Sequence, residues 1–345
     1  MSTAKRKQVA QLAGVSEATV SRVLNGVGPV REETRRKVLE AAEQLGYYPN
    51  SLAKSMVLQK SGNIGVFLPY VPKVRLISTY YFSEILSGIG HEVREHGLSL
   101  LLQFQSPDLE PAYSLPFRTK KIDGAIILGA REGERELAAF RELREMEAPF
   151  CVVGARFAES GFCEVDADYR HGARLAVRHL YEQGYRRIAC VTGDPHYSNT
   201  LDREQGVHAE FRRLGIPHDD HLRVPGNYSR KSGYEAGARL YEIRGRFDAV
   251  FAANDRMAIG LMQYLKEQGM EAGRDYGLVG FDDEDASRWC DPPLTTVRVP
   301  FFDMGRRAAR MIIDMLNGTR DLGETREELP VELVVRRSTA RISSA

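Results

Sequence analysis

Cysteine is scarce in this chain, and its placement excludes more than its number does. Cys151, Cys163, Cys190 and Cys290 lie far apart, and none forms a Cys-x-x-Cys pair. That removes a disulfide framework and a zinc-thiolate site, and it leaves reduced thiols of the cytosolic kind. Long apolar runs are missing too. None approaches the roughly 18 residues of a membrane span, and the basic residues at 5–7 lead into a polar segment rather than a signal-peptide core. A soluble cytoplasmic protein with no membrane partner is expected. The sequence also lacks a Gly-x-Ser-x-Gly elbow, a Walker loop, a Gly-x-Gly-x-x-Gly after a strand and a His-Glu-x-x-His helix. Its eight histidines are scattered, and Asp282-Asp283-Glu284-Asp285 reads as a solvated acidic loop before it reads as a metal site. No enzyme, cofactor or metal is expected.

A net charge excess is absent as well, with 48 basic against 47 acidic side chains. The distribution is uneven, however. Residues 1–60 hold ten basic residues (Lys5, Arg6, Lys7, Arg22, Arg31, Arg35, Arg36, Lys37, Lys54, Lys60) against five acidic ones (Glu17, Glu32, Glu33, Glu40, Glu43). A basic head on an acidic body is the asymmetry of a nucleic-acid-binding end.

What is present is most informative between Gln8 and Asn25. Val9, Ala10 and Ala13 mark one apolar face of a first helix. Gly14 stands where the chain reverses, because glycine reaches positive φ without steric cost. Ser16 is a ready N-cap for a second helix that turns Val20, Val23 and Leu24 inward. Glu17, Ala18, Ser21, Arg22 and Asn25 then face outward, on a surface short enough to enter a DNA major groove. An isolated hairpin of this kind would equally read as an ordinary pair of packed helices. A third amphipathic helix over about Glu32 to Leu45, with Val38, Leu39, Ala42 and Leu45 on one side, supplies the small core that two helices lack.

From about residue 62 short apolar runs alternate with helical ones. Ile64–Leu68, Leu98–Phe104, Gly124–Leu128, Phe150–Val153, Arg187–Gly193, Leu222–Val224, Phe247–Ala253 and Gly277–Phe281 read as strands between helices. The pattern predicts βαβ units and an α/β fold of two doubly wound parallel sheets facing across a cleft. Ligands in such sheets bind beyond the carboxyl ends of strands. The residues to inspect there are Pro69-Tyr70, Gly129-Ala130, Gly154-Ala155-Arg156, Gly193-Asp194, Asn254-Asp255 and Asp282-Asp283. Each also suits a turn or helix cap.

The expected organisation is a helix-turn-helix head over 1–48, a hinge over 49–61 and a ligand-binding and dimerisation core over 62–345. The hinge has helical composition but is too short to be stable alone. Pro49 would open it, with Asn50 and Ser51 in its first turn, and small Ala53 would let two copies approach. Met56 or Leu52 would wedge into a minor-groove base step.

Five runs taken together resemble the lactose-repressor (LacI/GalR) family of bacterial transcription regulators. They are Val9-Ala-x-x-Ala-Gly-Val-Ser-x-x-Thr-Val-Ser-Arg-Val-Leu-Asn, Gly46-Tyr-x-Pro-Asn, Ala253-Asn-Asp-Arg-Met-Ala-Ile-Gly, Val279-Gly-Phe-Asp-Asp and Pro293-Leu-Thr-Thr-Val. The resemblance covers essentially the whole chain. It implies a repressor that binds near-palindromic operator DNA as a homodimer or tetramer, with a periplasmic-binding-protein-like core holding a small-molecule effector. That effector would be a sugar, a sugar phosphate or, less often, a purine. No heptad tail follows Arg341, which favours the dimer.

The same resemblance assigns Glu17, Ala18 and Arg22 to base edges, and Thr19, Ser21 and Asn25 to phosphate. Arg22 is favoured because a guanidinium engages guanine O6 and N7 together. Asn50, Ala53 and Met56 fall to the hinge, Met56 at the family's usual leucine position. In the core it points to Arg203 and Asp282 as a polar clamp on vicinal hydroxyls. Tyr81, Phe82, Tyr228 and Trp289 would be apolar walls, and Asn254 would add an amide contact. Two departures stand out. Arg31 occupies a helix start where relatives place Ser or Thr, and Ala155-Arg156 replaces an acidic residue. The second shifts expectation toward an anionic or phosphorylated effector, since arginine suits phosphate. A transport-type binding protein would share the core, but not the head or the missing signal peptide.

Overall fold

The structure is a computed structural model that describes residues 6–47, 60–72, 76–106, 108–157, 161–217, 219–322 and 325–341. By its internal contacts the chain divides into two units, one ending at Gly62 and one running from Asn63 onward.

The first unit is three helices, α1 (Arg6–Ala13), α2 (Glu17–Asn25) and α3 (Glu32–Gln44). Val9, Ala10, Val20, Val23, Val38, Ala41 and Ala42 form its core. Gly14 turns the chain at φ +65°. Ser16 caps α2, its Oγ accepting from Thr19 N–H at 3.1 Å. Gly26 ends α2 in the left-handed region at φ +67°, as a helix terminator without a Cβ does. Leu39, expected inward, is 48% exposed, and Ala41 takes the inward place because α3 is rotated to bury its alanines. Arg31 gives α3 no side-chain cap. Glu32 and Glu33 in the first turn favour its positive dipole end instead.

The second unit carries two six-stranded sheets. The first contains β1 (Asn63–Pro69), β2 (Ser99–Gln105), β3 (Gly124–Leu128), β4 (Phe150–Val153), β5 (Cys163–Ala167) and β11 (Thr325–Leu329), in the order β11-β5-β4-β3-β1-β2. The second contains β6 (Ile188–Thr192), β7 (Arg223–Pro225), β8 (Ala249–Ala252), β9 (Gly277–Asp282), β10 (Thr295–Arg298) and β12 (Glu332–Val334), in the order β12-β10-β9-β8-β6-β7. All pairings are parallel except β10 with β12. The chain therefore passes between lobes three times: after β5, after β10 and between β11 and β12. Strand order reverses between β1 and β3 and again between β6 and β8, the switch points past whose carboxyl ends such sheets take ligands.

The helices that matter below are α4 (Tyr80–Glu95), α5 (Leu115–Arg118), α6 (Glu134–Glu145), α7 (Tyr169–Glu182), α8 (Ser198–Leu214), α9 (Arg230–Glu242), α10 (Asp255–Glu267), α11 (Ala286–Trp289) and α12 (Phe301–Leu316). Helices α4 and α12 cross at paired glycines. A Cβ on Gly88 would sit 2.0 Å from the Phe302 carbonyl oxygen, and one on Gly305 would sit 2.1 Å from that of Ile85. Backbones this close tolerate no side chain.

Candidate functional site

On the head, Glu17, Ala18 and Arg22 are exposed, whereas Thr19, Ser21 and Asn25 are half-buried. Glu17 pairs with Arg6 Nε at 3.2 Å, an exposed contact of little energetic weight. The Thr19 hydroxyl lies 2.9 Å from Ser16 Oγ, and Asn25 Nδ2 donates to Ser21 Oγ at 3.2 Å. These local bonds fix the face in one conformation. The Arg22 side chain, with no ion pair or hydrogen bond among the described residues, presents a free guanidinium on it. Asn50, Ala53 and Met56, with Leu52, lie outside the described residues.

In the core the strand ends converge on Arg203. Its side chain projects from α8 and is buried, with the residue 4% exposed. The guanidinium carbon sits 4.3 Å from the Tyr169 ring centroid and 4.4 Å from that of Phe281. Nη1 donates to the Asn199 carbonyl oxygen at 3.2 Å, to Asn199 Oδ1 at 3.3 Å and to the Tyr228 hydroxyl at 3.4 Å. Nη2 stands 3.6 Å from Asp282 Oδ1. Burial works against the charge on Arg203, yet Tyr228 and Asp282 hold its pKa above the ordinary value. Asp282 ends β9 at φ +111°, and Tyr228 turns at φ +65°. Non-glycine residues held there are strained, and such strain concentrates at binding sites. Burial drives the Asp282 pKa to about 7, against the opposing pull of Arg203.

Tyr228 is set by its neighbours. Its hydroxyl bonds to Thr200 Oγ1, and a Cβ on Gly193 would fall 2.2 Å from its ring, so glycine is required beside it. Asn254 caps α10, its Oδ1 accepting from Met257 N–H at 2.9 Å, and its Nδ2 donates to the Tyr228 carbonyl oxygen at 3.2 Å. Asn254 thus positions Tyr228 through one amide hydrogen and keeps the second for the contact expected from the sequence.

From the first lobe, Tyr81 in the opening turn of α4 donates to the Val153 carbonyl oxygen at 3.3 Å and meets the Phe301 ring edge-on at 5.0 Å. Phe82 backs Tyr81 at 4.8 Å from within the lobe's core. Trp289 departs from expectation. It is 85% exposed at the end of α11, so it walls no cavity in this conformation.

The Arg156 guanidinium, expected at the effector, is bonded to Asp202, which accepts from Arg170 Nη2 at 3.0 Å as well, so two arginines share one carboxylate. The Arg156 backbone N–H donates to Ser198 Oγ at 2.8 Å. Asn199 Nδ2 donates to the Gly154 carbonyl oxygen at 3.2 Å, and Glu132 N–H donates to the His196 carbonyl oxygen at 2.9 Å. These bonds link the two lobes through the start of α8. The residues that close the site, Tyr169, Asn199, Asp202 and Phe301, were not singled out from the sequence. Asn199 and Asp202 share α8 with Arg203, one turn and one residue before it, and that helical spacing was the available signal.

Two cavities lie in the core, neither lined by Arg203 or Asp282. One of about 190 Å³ lies past the ends of β1, β2 and β3, beside Pro69, Gln105, Gly129 and Arg131. Another of about 280 Å³ opens between Ser78 and Thr79 of the first lobe and Arg230, Arg256 and Glu284 of the second. Among the described residues no cluster of His, Cys, Asp or Glu is placed to hold a metal ion. No described helix is long and apolar enough to cross a membrane.

Comparison with known proteins adds an independent line. Residues 7–50 match the model for bacterial regulatory proteins of the lacI family, and residues 177–339 match a periplasmic binding protein-like domain. The HTH-type transcriptional repressor CytR of Escherichia coli (strain K12) is 33% identical over 339 residues, covering 97% of this chain and 96% of the relative. A lac repressor dimer bound to operator and the anti-inducer ONPF superposes with a TM-score of 0.85 at 27% identity, over 98% of this chain and 99% of that one. A transcriptional regulator CelR–cellobiose complex gives 0.74 at 29% identity, over 97% and 99%.

Proposed function

Because the chain belongs to the lacI family of bacterial regulatory proteins, we propose that it is a dimeric, cytoplasmic repressor whose hold on operator DNA is set by a small molecule bound between its core lobes. The observation that carries this reading is the buried Arg203–Asp282 pair, which leaves Arg203 Nε and Asp282 Oδ1 without hydrogen-bond partners at the carboxyl ends of the second sheet. Buried polar atoms are normally satisfied, so an unsatisfied donor and acceptor side by side mark a place for a ligand. The relatives are regulators by name, and we read this chain as a regulator rather than an enzyme.

In this reading α2 lies in the major groove, with Arg22, Glu17 and Ala18 at base edges and Thr19, Ser21 and Asn25 near phosphates. Asn50, Ala53 and Met56 serve the hinge against the minor groove. Tyr81, Tyr228 and Phe301 wall the effector, with Phe82 behind Tyr81. The effector acts through its different affinities for the open and closed arrangements of the lobes. The bonds of Arg156, Ser198, Asn199 and Asp202 hold the closed arrangement.

The reading is tested by selecting DNA from a random pool with the purified protein. Enrichment of a near-palindromic sequence with two half-sites supports it, and recovery of unrelated sequences at equal affinity contradicts it.

A further inference from the structure

We infer that Arg336 is a positioning residue for the clamp: it grips the Asp283 carboxylate, sets Asp282 toward Arg203, and ties both to the last chain pass between the lobes. The inference rests on the cleft being a small-molecule sensor and goes beyond it by naming what holds the sensing residue in place.

Asp282 and Asp283 are consecutive residues with side chains, held at φ +111° and +60°. A Cβ makes both conformations costly, and they persist only where surrounding contacts over-determine them. Those contacts fall on Asp283. It is 1% exposed, and its carboxylate accepts from Arg298 Nε at 2.7 Å, from Arg336 Nη2, and more weakly from Arg288 Nη2 at 3.4 Å. Asp282 instead keeps Oδ1 without a hydrogen-bond partner, 3.6 Å from Arg203 Nη2. One carboxylate is anchored in the lobe, and its neighbour is left for the cleft. The next residue is fixed as well, since Glu284 N–H donates to Asp255 Oδ2 at 2.8 Å.

Of the three arginines, Arg336 is placed to act as the anchor. Its side chain is 14% exposed, against 44% for Arg298 and 51% for Arg288. A charge-assisted bond shielded from water outweighs an exposed one. Arg336 Nη1 donates to Ser287 Oγ at 3.0 Å and to the Leu294 carbonyl oxygen at 2.8 Å. Its backbone N–H donates to Thr295 Oγ1 at 2.9 Å, and that hydroxyl donates to the Arg336 carbonyl oxygen at 3.0 Å. Against burial, which works the other way, Arg336 and Arg298 hold the Asp283 carboxyl below its ordinary value, so the anchor stays ionised.

Arg336 also sits where the lobes are joined. It follows β12 of the second sheet, and β12 follows β11 of the first. At that pass Asp168 N–H donates to the Leu329 carbonyl oxygen at 3.0 Å, and a Cβ on Gly172 would lie 3.0 Å from Val331 Cγ2. With so little slack, a shift of the first lobe is carried along β12 to Arg336 and through Asp283 to Asp282.

The experiment compares the full chain with Arg336→Gln, which removes the charge, and Arg336→Lys, which keeps it. Amide exchange is followed at 282–285 and, as a control in the same sheet, at 188–192. Isothermal titration uses D-ribose, D-glucose, cellobiose, glucose 6-phosphate and adenosine, and ligand-free operator binding shows that each variant is folded. Arg336→Gln is expected to speed exchange at 282–285 at least tenfold more than at 188–192, and to weaken the probe that binds wild type at least tenfold. Arg336→Lys is expected to bind that probe more tightly than Arg336→Gln does. Equal acceleration at both segments, or none at 282–285, overturns the inference, and so does an unchanged probe Kd in Arg336→Gln. Equal losses in the two variants place the effect on packing rather than on the ion pair and overturn it too. Failure of every probe to bind wild type, with operator binding intact, contradicts the sensor reading on which the inference rests.

Discussion

Arg203 Nη2 and Asp282 Oδ1 stand 3.6 Å apart, close enough to be an ion pair and too far to be a good hydrogen bond. The protein buries two opposite charges without completing the contact between them. Desolvation of such a pair is costly, and a ligand that bridges the two groups recovers part of that cost. The backbone at Asp282 and Tyr228 is held at φ +111° and +65°, conformations costly for side-chain-bearing residues and concentrated at binding sites.

Asp282→Asn removes the buried negative charge and keeps the shape. Ligand binding is expected to weaken at least tenfold, about 1.4 kcal/mol, while the ligand-free protein melts no lower than wild type at pH 8. Calorimetry and thermal melts on one preparation check both. Unchanged affinity would remove Asp282 from the clamp.

Asp202→Ala breaks the bonds to Arg156 and Arg170 together. Amide exchange at 154–156 and 198–200 is expected to accelerate as the lobes part more often, at a stability cost of about 1 to 3 kcal/mol. Exchange rates identical to wild type would show that the lobes are held elsewhere.

Burial places the Asp166 pKa at about 7, with Asp202 adding to the rise and the Ala167 N–H opposing it. A carboxyl whose pKa is raised on folding favours the folded state while protonated. Its contribution is full below the ordinary value of 3.8 and is lost as pH climbs to about 7. Asp166→Asn removes that loss. The stability gained by the variant should therefore be larger at pH 8 than at pH 5, by about 2 kcal/mol. Equal gains at both pH values would mean that Asp166 titrates normally.

Arg22→Ala should cost about 1 to 3 kcal/mol of discrimination between the selected operator and random DNA. Competition binding at fixed salt measures it. A uniform loss on both DNAs would make Arg22 a phosphate contact instead.

Much of this was legible in the sequence, and the gaps have physical causes. The strands that read clearly are apolar throughout, as Gly124–Leu128 and Phe150–Val153 are, because helices cover both faces. Cys163–Ala167 did not read as a strand because Glu164 and Asp166 interrupt it, and both are buried by contacts that no local pattern records. Thr325–Leu329 and Glu332–Val334 are edge strands with exposed charges, joined to their sheets only by the chain's return passes between lobes. Arg203 was reached through the family resemblance, and Asp282 both through it and as a residue just past an apolar strand. Tyr169 was not, because an aromatic at a helix start reads as core, and only the fold reveals that its hydroxyl has no partner. Arg156 shows the opposite gap: its charge was visible in the sequence, but its partner Asp202 lies 46 residues away.

The most direct test of the central claim is the affinity of the full-length protein for its selected operator, measured by fluorescence anisotropy with and without the ligand that titration identifies. The account predicts at least a fivefold change in operator Kd on adding ligand, about 1 kcal/mol of coupling, and loss of that change in Asp282→Asn. An operator Kd that stays the same at saturating ligand would contradict it.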